Sequence, residues 1–350
     1  MIIKGRSVRT TFLLGAGASR GAIAHVVLNR KRLRPPLNAD FFKVVETYAR
    51  AKGEKSADAR RLKRLKRIFG SELPIKWPPP MEAAFSLLYT AKDFPEIYAS
   101  RSGPKPKAGE RQELDDFLSL LFAVLAALDK GSSSPTGYDR LVQTLEPGDT
   151  VITLNYDTMI DSALVRAGWD PKAGYELVGG KKKVTWGSAR APQATRLADV
   201  SLLKLHGSLN WWVRGSRSTL SNVFSKKPVI VTAPRVNERA GMIRQIIPPI
   251  YGKVFGHAHW RALWKAAFNA LSDAEQLVVV GCSIVDTDYH LQALLRRAIK
   301  ERRKSGKALE AILVDRVRIR RRWQRVLRGA SAQYQAYNTL EGFLTDGIGA

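Results

Sequence analysis

Five places in this chain end an apolar stretch in glycine or a polar side chain, and together they carry residue types able to work on a polar, anionic substrate. They are Gly15-Ala16-Gly17-Ala18-Ser19, Asn155-Tyr156-Asp157, His206-Gly207-Ser208, Gly281-Cys282-Ser283 and Asp315. Gly15 and Gly17 would let a backbone approach a phosphate closely, and a helix starting there would add N–H groups and partial positive charge. Asn155 offers an amide carbonyl and an NH2, and Asp157 a carboxylate. His206 is the side chain suited to take a proton near neutral pH. Ser283 carries a hydroxyl that can hold a ribose hydroxyl or a phosphate. Each also has a plain structural reading. These are a tight strand-to-helix turn for the glycines, an Asx turn for Asp157, a packed histidine for His206 and a buried packing thiol for Cys282.

None of the short motifs is decisive alone. The third glycine after Leu14 is Gly21, one position too late for the dinucleotide fingerprint G-x-G-x-x-G, and no Gly-Lys-Ser/Thr of a P-loop is present. His257 and His259 form a pair with no evident further ligands, so no metal site is expected. The single cysteine, Cys282, excludes an internal disulfide and a cysteine-based zinc site.

The elements that must position these residues follow from pattern. Phe12 to Gly15, "DTVITLNYD", "LLKLHGSLNWW", "PVIVTAP", "EQLVVVGCS" and "KALEAILVD" read as strands, the last of these being the final one. Ala18 to Asn29 is expected to open a helix, and a second helix follows the Pro-Pro break, capped by Asn38 or Asp40. "EKSADARRLKRLKRIFG" reads as an exposed helix or loop. Trp260, Leu263, Trp264, Ala267, Phe268 and Leu271 recur at helical spacing and mark a core face. A helix after "DTDYH" would be capped by Asp286 or Asp288. Short apolar strands followed by helices imply an α/β domain with a mostly parallel sheet. In such sheets the ligand sits outside the carboxyl ends of the strands, which is where all five polar stops fall.

The 350 residues carry 58 Lys+Arg against 31 Asp+Glu, a formal net charge of +27. That surplus favours polyanionic partners such as nucleic acid, and its self-repulsion favours an assembly, a homo-oligomer included. Arginines and lysines cluster at Arg60–Arg67, at Arg296–Lys304 and in a basic C-terminal segment from about 316 to 350. No long apolar run is present at the N-terminus or elsewhere, so a soluble, cytoplasmic protein with no membrane association is expected.

In their order, the motifs "GAGAS" (15–19), "PPLNADFF" (35–42), "TLNYD" (153–157), "KLHGSLNW" (204–211), "IIPPIYGK" (246–253) and "VVVGCSIVDTDYHLQALLRRA" (278–298) resemble the sirtuin superfamily. The resemblance is closest to the zinc-free sirtuin-like domains of bacterial anti-phage defence proteins. It spans roughly residues 10 to 316. It implies a single doubly wound, Rossmann-like NAD-binding domain over 1–350, with a large helical insertion at about 38–147. It further implies cleavage of NAD at the nicotinamide–ribose bond, with NAD as substrate and no zinc. Carried over by residue, Gly15, Ala16, Gly17 and Ser19 would cradle the pyrophosphate. Asn155 would position water beside the nicotinamide ribose, and Asp157 would hold the nicotinamide amide or its loop. His206 would be the general base. Gly281 and Ser283 would meet phosphate or adenosine ribose, and Asp315 the adenosine ribose hydroxyls. Deacetylating sirtuins carry a four-cysteine zinc module and an Asp-Phe-Arg loop. This chain lacks the module and keeps only Asp40 and Phe41 of the loop. Related NAD-degrading proteins act beside a partner such as a HerA-type ATPase or a short Argonaute protein. The alternatives on the same residues are a deacylase or ADP-ribosyltransferase, and a non-catalytic nucleic-acid-binding or scaffold subunit.

Overall fold

The computed structural model describes residues 8–71, 76–93, 112–132, 135–175, 183–184, 197–215, 228, 230–233, 241–247, 258–284, 288–328 and 333–347. His257, Asp286 and residues 248–253 of the "IIPPIYGK" motif lie outside them.

The fold is α/β. Six parallel strands form the main sheet in the order β12-β11-β10-β1-β4-β6. They are β1 (Thr10–Leu14), β4 (Thr150–Thr153), β6 (Ser201–Lys204), β10 (Gln276–Val280), β11 (Glu310–Val314) and β12 (Gln333–Tyr337). Their near-continuous apolar runs, such as Phe12-Leu13-Leu14 and Leu277 to Val280, are buried, as a sheet covered on both faces requires. The register is level: Leu14 pairs with both Thr153 and Val280, Thr153 with Lys204, and Val280 with Val314. Whatever follows those residues therefore emerges along one edge. From β1 the chain fills the β4–β6 side, then returns to build the β10–β12 side, which leaves a crevice where the direction changes.

A second sheet holds β7 (Gly207–Arg214), antiparallel to β8 (Ile230–Val231) and β9 (Met242–Ile246), with β5 (Lys183–Val184) parallel to β8. The passage from β6 to β7 turns at Gly207, whose φ is +78°. A Cβ there would lie 2.4 Å from the Gln245 carbonyl oxygen. Only glycine lets the chain step from one sheet to the other while carrying His206 at the corner.

Three local expectations are corrected. The helix α1 stops at Ala22 (Ala16–Ala22), and the rest of the expected helix is a hairpin of β2 (Val26–Leu28) and β3 (Lys31–Leu33). Its turn residues Asn29 and Arg30 both take positive φ, the requirement of a tight two-residue hairpin turn. The strand at β11 is not the last: Gln333–Tyr337 adds a sixth strand, whose alternating glutamines and tyrosines give it no apolar run to announce it. The basic stretch α3 (Ala57–Ser71) is not simply exposed, because Leu62, Leu65, Ile68 and Phe69 are buried.

Between β3 and β4 the described chain is helical: α2 (Phe41–Lys52), α3, α4 (Met81–Asp93), α5 (Gln112–Gly131) and α6 (Gly137–Val142). Phe41, Phe42, Phe69, Phe85 and Phe117 pack ring on ring among them. Part of the basic surplus is spent inside this layer. Arg64 binds buried Asp116 at 2.7 Å, Lys66 binds Glu46 at 2.6 Å and Arg61 binds Asp58 at 2.8 Å. Beyond β4 come α7 (Met159–Arg166), α8 (Pro171–Gly174), α9 (Ala258–Asp273), α10 (Tyr289–Lys304), α11 (Val317–Val326) and α12 (Leu340–Gly342).

Candidate active site

A cavity of about 330 Å³ opens at the carboxyl ends of β1, β4, β6, β10 and β11. Its walls include Gly15, Ala16, Gly17, Ser19, Asn155, Asp157, His206, Gly281, Ser283 and Asp315. Ten of the twelve residues singled out from the sequence thus meet around one space. The exceptions are Asp40 and Phe41. Asp40 turns away to bind Arg20 at 2.7 Å and the Leu37 amide at 2.7 Å, which ties down the Pro35–Asn38 loop over the cavity. Phe41 is fully buried against Phe42 and Phe117. Asp40 stands at the N-terminus of α2 without a side-chain cap bond, and Asn38 caps the later helix α4 through the Glu82 amide, 2.9 Å. One shapes the loop, and the other anchors it.

The glycines serve a close approach, but to protein backbone. The Gly15 amide donates to the Val280 carbonyl at 3.0 Å, and the Gly17 amide to the Gly281 carbonyl at 2.9 Å. A Cβ on Gly281, whose φ is +54°, would sit 2.1 Å from the Ala18 nitrogen. A Cβ on Gly15 would sit 2.5 Å from the Gly281 oxygen. The β1 and β10 strand ends can lie this close only because glycine stands at the touching positions, Gly15, Gly17 and Gly281. These two amides are therefore unavailable to an anion.

Ser19 is the joint of a buried network. Its hydroxyl donates to Asp157 Oδ2 at 2.8 Å, accepts from Asn155 Nδ2 at 3.0 Å and meets Tyr138 Oη at 2.9 Å. With its proton given to Asp157, it accepts from Tyr138 and is saturated. The reading of Ser19 as a phosphate ligand gives way to that of a scaffold. Asn155 Nδ2 also donates to the Gly15 carbonyl at 2.9 Å. A carbonyl cannot donate, so the amide nitrogen is fixed there and both its protons are spent. What Asn155 has left for a ligand is its carbonyl oxygen, an acceptor for water or a hydroxyl.

Asp157 Oδ1 accepts from the Met159 amide at 3.2 Å, so the Asx turn is real. Burial pushes its carboxyl up from the usual range, with Lys204 acting in the opposite sense. Lys204 is itself fully buried. Its Nζ donates to the Asp157 carbonyl at 2.6 Å and pairs with Asp161 at 2.7 Å. Tyr175 completes that side by donating to Asp161. Below the turn, Asp129 of α5 accepts from the Thr158 hydroxyl at 2.5 Å, while its other oxygen has no partner among the described residues. Burial, then the charge of Asp157, raise the Asp129 carboxyl to about 8. Lys204, Asp161 and Asp129 were missed from the sequence, since a lysine in "LLKLHG" gives no sign that its ammonium is buried.

His206 is held differently. Its Nε2 lies 3.3 Å from Asp288 Oδ2, and both side chains are buried. Asp288 Oδ1 accepts from the Leu291 amide at 3.1 Å, capping α10 as expected. On the far side of the cavity, burial raises the Asp315 carboxyl, which accepts from the Arg316 amide at 2.7 Å. Arg316 also lines the cavity. Cys282 is buried, and burial drives its thiol well up, which leaves it inert at neutral pH.

A SIR2-like domain model matches residues 149–334, more than half of the chain, and the protein belongs to the SIR2-like family. Among solved structures, it is similar to a mutant Sir2 homologue in complex with ADP-ribose. The two share 12% identity over 98% of this chain and 91% of that one, with a TM-score of 0.36. A structure from work on the mechanism and regulation of Sir2 enzymes gives 12% identity, coverage of 97% and 89%, and a TM-score of 0.37. No curated protein matches the chain.

Proposed function

We propose that this protein hydrolyses NAD, releasing nicotinamide and ADP-ribose. The observation that carries the reading is the meeting of Asn155 and His206 on one cavity at the switch point of a SIR2-like sheet. In the reaction the bond between ribose C1′ and the nicotinamide nitrogen breaks, and its electron pair neutralises the pyridinium. A water oxygen bonds to C1′, and the water's proton passes to His206 and then to solvent. The ribose passes through an oxocarbenium-like state, so the site has to hold the two halves and aim one water. The Asn155 carbonyl oxygen is the acceptor that orients it. The solvent-exposed Ser283 and the Asp315 carboxylate would meet the adenosine side. No lysine acceptor has to be bound, and with a single cysteine the chain has no four-cysteine zinc module, which favours water over a protein side chain.

In this reading the protein serves as an effector that depletes NAD in anti-phage defence, with its trigger supplied by a partner. The test is incubation of the purified protein with NAD, following nicotinamide and ADP-ribose by chromatography. Appearance of both in equal amounts supports hydrolysis. Transfer of ADP-ribose to added protein, or acyl-group removal from an acylated peptide, would replace it. Intact NAD in the presence of candidate polyanions and partners would favour a scaffold.

A further inference from the structure

We infer that Asp288 is the positioning residue of His206: it orients the imidazole and stabilises the imidazolium formed when His206 takes the proton. The inference deepens the hydrolase reading and rests on it. Both oxygens of Asp288 are engaged. Oδ1 is fixed by the Leu291 amide, and Oδ2 faces His206 Nε2 at 3.3 Å. Capping needs only one oxygen and is ordinarily done at the surface. Here the carboxylate is 4% exposed and shares the cavity wall with the histidine.

The arrangement is stiff. The N-terminus of the sixteen-residue α10 favours a negative charge at Asp288. The cap bond sets its rotamer, and the Ile247 amide donates to the His206 carbonyl at 2.7 Å, which fixes the backbone at the corner. A buried carboxylate against an imidazole lowers the cost of placing positive charge there, the role the aspartate plays in serine-hydrolase triads. Proton uptake from water at C1′ creates that charge.

Other ionisable groups surround the ring. Lys204 lies on its own strand, Tyr156 and Asp157 follow β4, Glu82 comes from α4, and Asp315 and Arg316 follow β11. His290 of α10 is one ring further off, beyond Trp264. All are unchanged in the variants below.

Asp288→Asn is the informative change, because asparagine caps helices as well as aspartate does and keeps the side chain's size. It should lower kcat for NAD cleavage by roughly 10²–10⁴ with KM nearly unchanged, the range for disabling a general base. Asp288→Glu should recover part of that loss. Independently of any activity, the His206 imidazole signals, assigned against His206→Ala, should titrate at lower pH in Asp288→Asn by about 1–3 units. An unchanged titration midpoint would reduce Asp288 to a helix cap and overturn the inference. So would a wild-type kcat in Asp288→Asn. A shifted midpoint in a protein that leaves NAD intact would sink the hydrolase reading while the pairing stood.

Discussion

Asn155 and His206 stand at corresponding strand ends of one sheet, yet the two halves of the site are built on different principles. The Asn155 half is a closed network. Every proton of its amide is spent, Ser19 is saturated, and Lys204, Asp161 and Asp129 underlie it. The His206 half is a corner between two sheets, joined to α10 by the carboxylate of Asp288. Under the proposed hydrolysis the difference would follow the chemistry. A group that only orients water works best immobile, and redundancy keeps it so. A group that changes charge in each turnover, as proposed for His206, is served by a carboxylate beside it, the place Asp288 takes.

That contrast can be broken experimentally. The largest effect is expected from His206→Ala, which should cut NAD cleavage by roughly 10²–10⁴ while circular dichroism stays that of a folded protein. Retained cleavage would move the base elsewhere. Gly281→Ala should come next and should act on the Asn155 half through stability. The positive φ costs about 1–3 kcal/mol and the clash with Ala18 about as much again, read as a lower urea midpoint. A midpoint equal to wild type would mean the two glycine loops can part without harm.

Ser19→Ala tests the network directly. Asp157 Oδ2, Asn155 Nδ2 and Tyr138 Oη would lose their common partner, at roughly 1–3 kcal/mol for the groups left unpaired. Asp288→Asn should leave stability close to wild type because the cap survives. Equal stabilities for these two variants would erase the distinction between the halves.

The buried acid gives a smaller, pH-dependent effect. Asp129 holds its proton up to about 8 in the folded state, whereas the unfolded chain releases it near 3.9, the usual value for aspartate. The native state therefore binds more protons between those values, and stability falls as pH rises from about 4 to 8 and then levels. Asp149, raised by burial to about 6, adds to the fall at the acid end. Asp129→Asn should flatten the curve above pH 6 in urea titrations, and an unchanged slope would assign the effect to other groups.

The smallest and most conditional effect concerns the surface. Arg322 donates to the Ile284 carbonyl and Arg320 to Asn338, so these two arginines help hold α11. Arg318, Arg321, Arg325 and Arg328 are exposed. Changing these four to Glu should abolish salt-sensitive binding of DNA or RNA, measured at two ionic strengths. Binding that survives the reversal, or ignores salt, would leave them as solvated surface.

The sequence by itself marked β1, β4, β10 and β11 and the ends of those strands, but not β12 or the break of "LLKLHGSLNWW" into β6 and β7. Runs such as "FLLG" and "LVVVG" are apolar on both faces and stop at glycine, a local pattern that needs no knowledge of neighbours. It also carried the candidate residues, because a polar group at such a stop has one edge to face. Partnership was decided only by the tertiary structure. Ser19 joins Asp157 and Asn155 across more than 130 residues, Lys204 pairs with Asp161 across 43, and His206 meets Asp288 across 82. Whether a hydroxyl is offered to a ligand or saturated depends on what folding brings within about 3 Å of it, and spacing along a chain does not encode that distance. The glycines make the same point. Their places were legible, but that Gly15 and Gly17 make room for Gly281 emerged only once β10 lay beside β1.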